Sequence, residues 1–141
     1  MRYKNEFTDR PLEREIIPVG KVANIYIRED ITEETRERED GTTQTVYTCT
    51  EHHAQIPMRT GLTVTDALRD KILAKETEQE AERIRKIRND LLDATDKEIL
   101  PDRLNKSSSA FKAWSDYREA LRDIPEQVGF PWEVEWPEVE L

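Results

Sequence analysis

Cys49, Glu51, His52 and His53 are the one constellation whose residue types and spacing suggest reactive chemistry. On a strand, alternate residues share a face, so Cys49, Glu51 and His53 align while His52 points away. Cysteine and histidine are zinc ligands, and a histidine beside a cysteine activates its thiol. Three residues spread along one strand do not close a tetrahedral site, however. The chain holds no other cysteine or histidine to complete it. Solvated strand positions explain the cluster, and no metal or cofactor is expected.

The remaining scan finds no Gly-rich phosphate loop, Cys-x-x-Cys pair, nucleophile elbow or His-Glu-x-x-His motif. Gly20, Gly41, Gly61 and Gly129 each read as turns. With 31 carboxylates, some must be neighbours by chance. Asp93, Asp96 and Glu98 gather near a helix end without a substrate pocket. No catalytic residue is assigned, and an enzyme is not expected.

Composition narrows the remaining classes. Charged residues (38%) outnumber hydrophobic ones (35%), and mean hydropathy is −0.87, so burial must be concentrated in small clusters. The net charge of −9 opposes phosphate backbones and removes the counterion-release term that drives nucleic-acid binding. The basic run Arg83 to Arg88 reads as the solvated face of a helix whose preceding turns are rich in Glu. A lone cysteine excludes an internal disulfide. No apolar run approaches the ~20 residues of a membrane span, and no signal-peptide core follows Met1. Neither nucleic acid nor membrane is an expected partner, and the expected location is a cytoplasm.

The elements that would position any site fall into three segments. Residues 1–62 read as β. Val22 to Ile31 and Thr42 to Ile56 are rich in β-branched and aromatic residues, with Asp40-Gly41 between them as a hairpin signal. A two-residue loop there puts Glu39 opposite Thr42, Ile31 opposite Thr50, Ile27 opposite Ala54 and Ile25 opposite Ile56. One face then collects Ile25, Ile27, Ile31, Val46, Ala54 and Ile56. Residues 3–10 add a third strand in a weaker pattern.

Residues 63–95 read as one long helix. Thr63-Val64-Thr65-Asp66 offers an N-cap and an acidic first turn. Leu68 and Ile72 form one apolar stripe, placed to cover the hairpin, and Ile84, Ile87 and Leu91 form another. The nearly polar stretch between them either bridges two small cores or mediates self-association into a homo-oligomer. Pro101 prevents simple continuation.

Residues 96–141 carry all three tryptophans. After a loop at 105–109, Phe111, Trp114, Tyr117 or Arg118, Leu121 and Ile124 recur at helical spacing on one face. The Pro- and Trp-rich tail is expected to fold back over Trp114. The core would then comprise Trp114, Phe111, Leu121, Ile124, Ile84, Ile87 and Leu91. Clustered aromatics beside arginine are also what interface hot spots contain. The expected contact residues are Phe130, Trp132 and Trp136, with Tyr117 and Arg118.

Three strings in this segment carry a family pattern. They are Asp96-x-x-x-Leu100-Pro101-Asp102, then Trp114-x-x-Tyr117-Arg118-x-x-Leu121-Arg122-Asp123-Ile124-Pro125, then Gly129-Phe130-Pro131-Trp132 with Trp136-Pro137. Over about residues 83–137 the chain resembles phage tail assembly chaperone proteins. The resemblance implies a non-enzymatic phage or prophage protein that binds a tail or tail-fibre component in the host bacterial cytoplasm. A structural part of the virion tail or fibre apparatus is the alternative. The expected architecture is α+β: an N-terminal hairpin or small antiparallel meander, a long bridging helix, and a C-terminal helical minicore with an extended tail.

Overall fold

A computed structural model describes residues 1–100, 102, 105 and 108–140. Pro101, expected to end the long helix, lies outside the described residues, as does part of the expected loop at 105–109. The fold is α+β, and the chain divides into two compact units, Met1–Glu76 and Thr77–Leu141.

The first unit is a four-stranded antiparallel sheet followed by the start of a helix. Strands β1 (Arg2–Phe7), β2 (Arg14–Val19), β3 (Val22–Glu37) and β4 (Thr43–Pro57) lie in the order β1-β4-β3-β2. The central pair is the expected hairpin, flanked by two short edge strands. β2 contains Pro18, which an edge strand tolerates because its missing N–H leaves only the outer side unpaired.

The hairpin register corrects the expectation. Gly41 adopts φ +83° and the loop holds three residues, with the Arg38 amide donating to the Thr42 carbonyl at 2.7 Å. The Asp40 carboxylate accepts from the Thr42 amide (2.9 Å) and hydroxyl (2.6 Å), so it caps the turn. Near the turn the pairs are Glu37–Thr43 and Glu34–Val46, one residue from the expected register. A bulge between Glu29 and Thr32, where Asp30 takes φ +53°, adds a second offset. Beyond it Ile25 faces Ala54 and Ile27 faces His52. Because side chains alternate with period two, the two offsets restore the original face for Ile25, Ile27, Ala54 and Ile56. Ile31, inside the bulge, leaves the set.

That face is covered by the first turns of α1 (Asp66–Thr95). The Thr65 hydroxyl caps the helix by accepting from the Leu68 amide at 3.1 Å. Ile25, Ile27 and Ile72 are buried together, packed by Ile16, Ala54, Ile56, Val64 and Leu68. His52, on the same face, bonds Glu76 of α1 at 2.8 Å and Glu29 at 3.1 Å.

The second unit takes the remainder of α1, a short 3-10 turn at Asp96–Ile99, α2 (Ser109–Arg122), a second 3-10 turn at Ile124–Glu126 and the tail. Ser108 caps α2, its hydroxyl accepting from the Phe111 amide at 3.1 Å. Ile84, Leu121 and Ile124 are buried, with Leu91, Leu92, Tyr117, Phe130 and Val134 packed around them. The polar stretch of α1 is laced by exposed pairs such as Arg83–Glu80 at 2.5 Å.

Candidate partner-binding surface

The tail is positioned by three local devices. Gly129 makes room for a close return, since a Cβ there would lie 2.6 Å from both Cβ and the carbonyl oxygen of Glu133. The Glu133 amide donates to the Gly129 carbonyl at 2.7 Å, which closes the turn. Next, the Gln127 side-chain amide clamps residue 135. Its Nε2 donates to the Glu135 carbonyl and its Oε1 accepts from the Glu135 amide, each at 2.8 Å. The side chain thus stands in for a neighbouring strand.

Beyond the clamp the tail alternates. Val134, Pro137 and Val139 are half-buried, whereas Glu135, Trp136, Glu138 and Glu140 are exposed. Pro137, Glu138 and Glu140 line a groove with Ala113, Tyr117 and Ala120 of α2. A second groove is formed by Gln127, Val128, Trp132 and Val134 with the neighbouring glutamates. Val128 is fully exposed, and Trp136 is 37% exposed.

The expected contact residues therefore take different positions. Trp136 is at the surface and Trp132 is half-buried along a groove. Phe130 is half-buried against the core, with the Arg85 guanidinium 5.5 Å from its ring centroid. Tyr117 also packs on the core and meets Trp114 edge-on at 6.0 Å. Arg118 is turned inward and only 8% exposed. It donates to the Leu92 carbonyl (2.6 Å) and the Thr95 hydroxyl (2.7 Å), and pairs with Asp96 at 2.7 Å.

Among the expected core residues, Leu121 and Ile124 are fully buried and Ile84 nearly so. Leu91 packs on them, while Phe111, Trp114 and Ile87 are half-buried. Sequence reading did not single out Val128 or Gln127. A glutamine and a lone valine between Pro125 and Gly129 are ordinary loop residues, and only the folded turn gives them a role.

In the first unit, Cys49, Glu51 and His53 do share the sheet face opposite α1. Glu51 is nearly fully buried there, bonded by Tyr3 and by Arg28 Nε at 2.6 Å. Arg28 also pairs with Glu15 at 2.7 Å and lies against the rings of Phe7 and Tyr26. Burial pushes Glu51 upward, but the hydrogen bonds from Tyr3 and Arg28 outweigh it and hold the carboxyl below the usual range. Burial and the hydrogen bond to Glu51 push Tyr3 up to about 12. Burial first, then the charge of Glu51, raises the Cys49 thiol and so disfavours the thiolate. His53 is stacked on Tyr26 at 4.8 Å and hydrogen-bonded to Asn24 at 3.0 Å. Glu51 is thus committed to an ion pair, and no group of three such side chains among the described residues is arranged to hold a metal ion. No helix among them is long and apolar enough to cross a membrane.

Comparison with curated proteins gives no match, and neither does comparison with solved structures. The second unit is different: over residues 81–139, this chain matches the phage tail assembly chaperone protein family.

Proposed function

We propose that this chain is a non-enzymatic chaperone of phage tail assembly, which binds a tail or tail-fibre protein in the host bacterium and keeps it soluble until incorporation. The reading is supported by the family match over residues 81–139 together with the exposed apolar and aromatic side chains inside it. The observation that carries it is the surface position of Trp136 and Val128 on a tail fixed by the Gln127 clamp. A pre-ordered aromatic segment binds without first being immobilised, so less of its contact energy is lost to ordering. The net charge of −9 opposes self-association of the loaded complex.

Co-expression of the tagged chain with individual tail proteins, followed by pull-down, tests this function. Retention of a tail protein is expected, and retention of none removes it. Mass spectrometry of purified particles separates it from the structural alternative. A chaperone is absent from the finished particle, whereas a tail component is present at fixed copy number.

A further inference from the structure

Strand β1 leaves one side of its backbone open, and the residues along it are complementary to themselves. The His53 amide donates to the Met1 carbonyl at 2.8 Å, and the register from Arg2–His52 to Phe7–Tyr47 then runs on without a shift. The main-chain groups of Tyr3, Asn5 and Phe7 therefore face β4, and those of Lys4 and Glu6 point away from it. The Glu6 amide agrees, since it is held by the Asn5 side-chain oxygen at 2.8 Å. β1 ends the sheet, and among the described residues no further strand lies beside it. At the opposite edge β2 carries Pro18, whose missing amide blunts strand addition there. β1 has neither a proline nor a bulge.

We propose that β1 docks against β1 of a second copy of this chain, antiparallel about a two-fold axis at Asn5, so that the two sheets join edge to edge. Lys4 then faces the partner's Glu6 and exchanges both main-chain hydrogen bonds with it, and Glu6 faces the partner's Lys4. Tyr3 faces the partner's Phe7 on the other side of the sheet, and the two Asn5 residues meet at the axis. Opposite charges and paired aromatics at facing positions favour a strand pair, whereas like charges oppose it. Lys4 and Glu6 are exposed, so both side chains can reach across while Glu6 keeps Arg36 at 2.7 Å.

Complementarity also selects the register. Only the outward groups can bond across this edge, so the axis moves in whole-residue steps. An axis at Tyr3 sets Lys4 against Arg2, one at Lys4 sets the two Lys4 together, and one at Glu6 sets the two Glu6 together. Of the four middle residues of β1, Asn5 alone avoids a like-charge pair. The strand is moreover locally basic, with Arg2 and Lys4 against Glu6, in a chain of net charge −9. Two acidic copies thus meet here without local repulsion, while their overall charge keeps the contact weak. A single strand pair is a small interface, so the dissociation constant is expected on the order of tens of micromolar.

Sedimentation equilibrium of the full chain over a concentration series tests this. A reversible dimer is expected, and a chain that stays monomeric well above that concentration overturns the proposal. Lys4→Glu and Glu6→Lys each place like charges opposite one another and are expected to weaken dimerisation roughly tenfold. Mixed in equal amounts, the two variants are complementary to each other and are expected to form a mixed dimer of wild-type strength. Combining both substitutions in one chain exchanges the charges and restores the dimer. Circular dichroism checks that each variant keeps its fold. Dimerisation unchanged in both single variants, or no recovery in a folded double variant, overturns docking through β1. Should a single variant fail to fold, the wild-type series and the double variant decide in the same way.

Discussion

Arg118 on α2 donates to the carbonyl of Leu92 on α1 at 2.6 Å, so one guanidinium satisfies the C-terminal turn of the neighbouring helix. The last carbonyls of a helix have no partner within it, and burial makes an unpaired one costly. Arg118 also holds the Thr95 hydroxyl, whose own donation goes to the Leu91 and Leu92 carbonyls at 3.2 and 2.9 Å. Its contribution is therefore internal. Arg118→Ala is expected to destabilise the second unit by about 2–3 kcal/mol, the scale of a buried charge-assisted hydrogen bond. Thermal melting of the full chain followed by circular dichroism checks this. An unchanged melting temperature would count against the assignment.

The core anchors of the second unit are Leu121 and Ile124, both fully buried. Truncating a buried leucine leaves a cavity, so Leu121→Ala should cost about 2–5 kcal/mol. Trp114, half-buried and edge-on to Tyr117, should cost less when truncated, despite its larger size. Denaturant melts of the two variants side by side decide the order. A greater loss from Trp114→Ala would restore the tryptophan as the main anchor.

The Gln127 clamp makes a separate prediction. Gln127→Ala removes both hydrogen bonds to residue 135 and should release the tail, at a cost of about 1–2 kcal/mol. Faster hydrogen exchange at the Glu135 amide, with the core amides of α2 unchanged, is the expected signature.

In the first unit, acid and alkali act on the same pair. Glu51 is held below its ordinary 4.5, so its stabilisation is present above that pH and is lost as pH falls through the folded value. Tyr3 is raised from 10.0 to about 12, so its contribution is present below pH 10 and fades as pH rises toward about 12. Glu51→Gln should flatten the acid limb of stability against pH, which denaturation at graded pH measures. Glu51→Ala, which leaves the buried Arg28 short of a counter-charge, should cost about 3–5 kcal/mol.

The parts of the fold legible in sequence are those set by local chemistry. They include the Asp40-Gly41 turn, the Thr65 cap and the apolar faces of Leu68 with Ile72 and of Leu121 with Ile124. The edge strand Arg14–Val19 was hidden because Pro18 and a short, exposed pattern do not mark a strand until β3 is beside it. The register was hidden by a non-glycine bulge at Asp30, which no residue type announces. At the candidate site, aromatic spacing marked out a segment but could not order its depths. Phe130 and Tyr117 turn toward the core, Arg118 is buried and Trp136 faces outward. Within the tail those depths follow from the return at Gly129 and from the clamp, both made between residues that no recognised turn signal links.

The most direct measurement is the soluble yield of each tail protein expressed with and without this chain, by sedimentation and gel quantitation. The account predicts that at least one tail protein moves from the pellet to a soluble complex with the chain. Trp136→Ala should diminish that complex. If every tail protein distributes the same with or without the chain and none co-purifies with it, the central claim is contradicted.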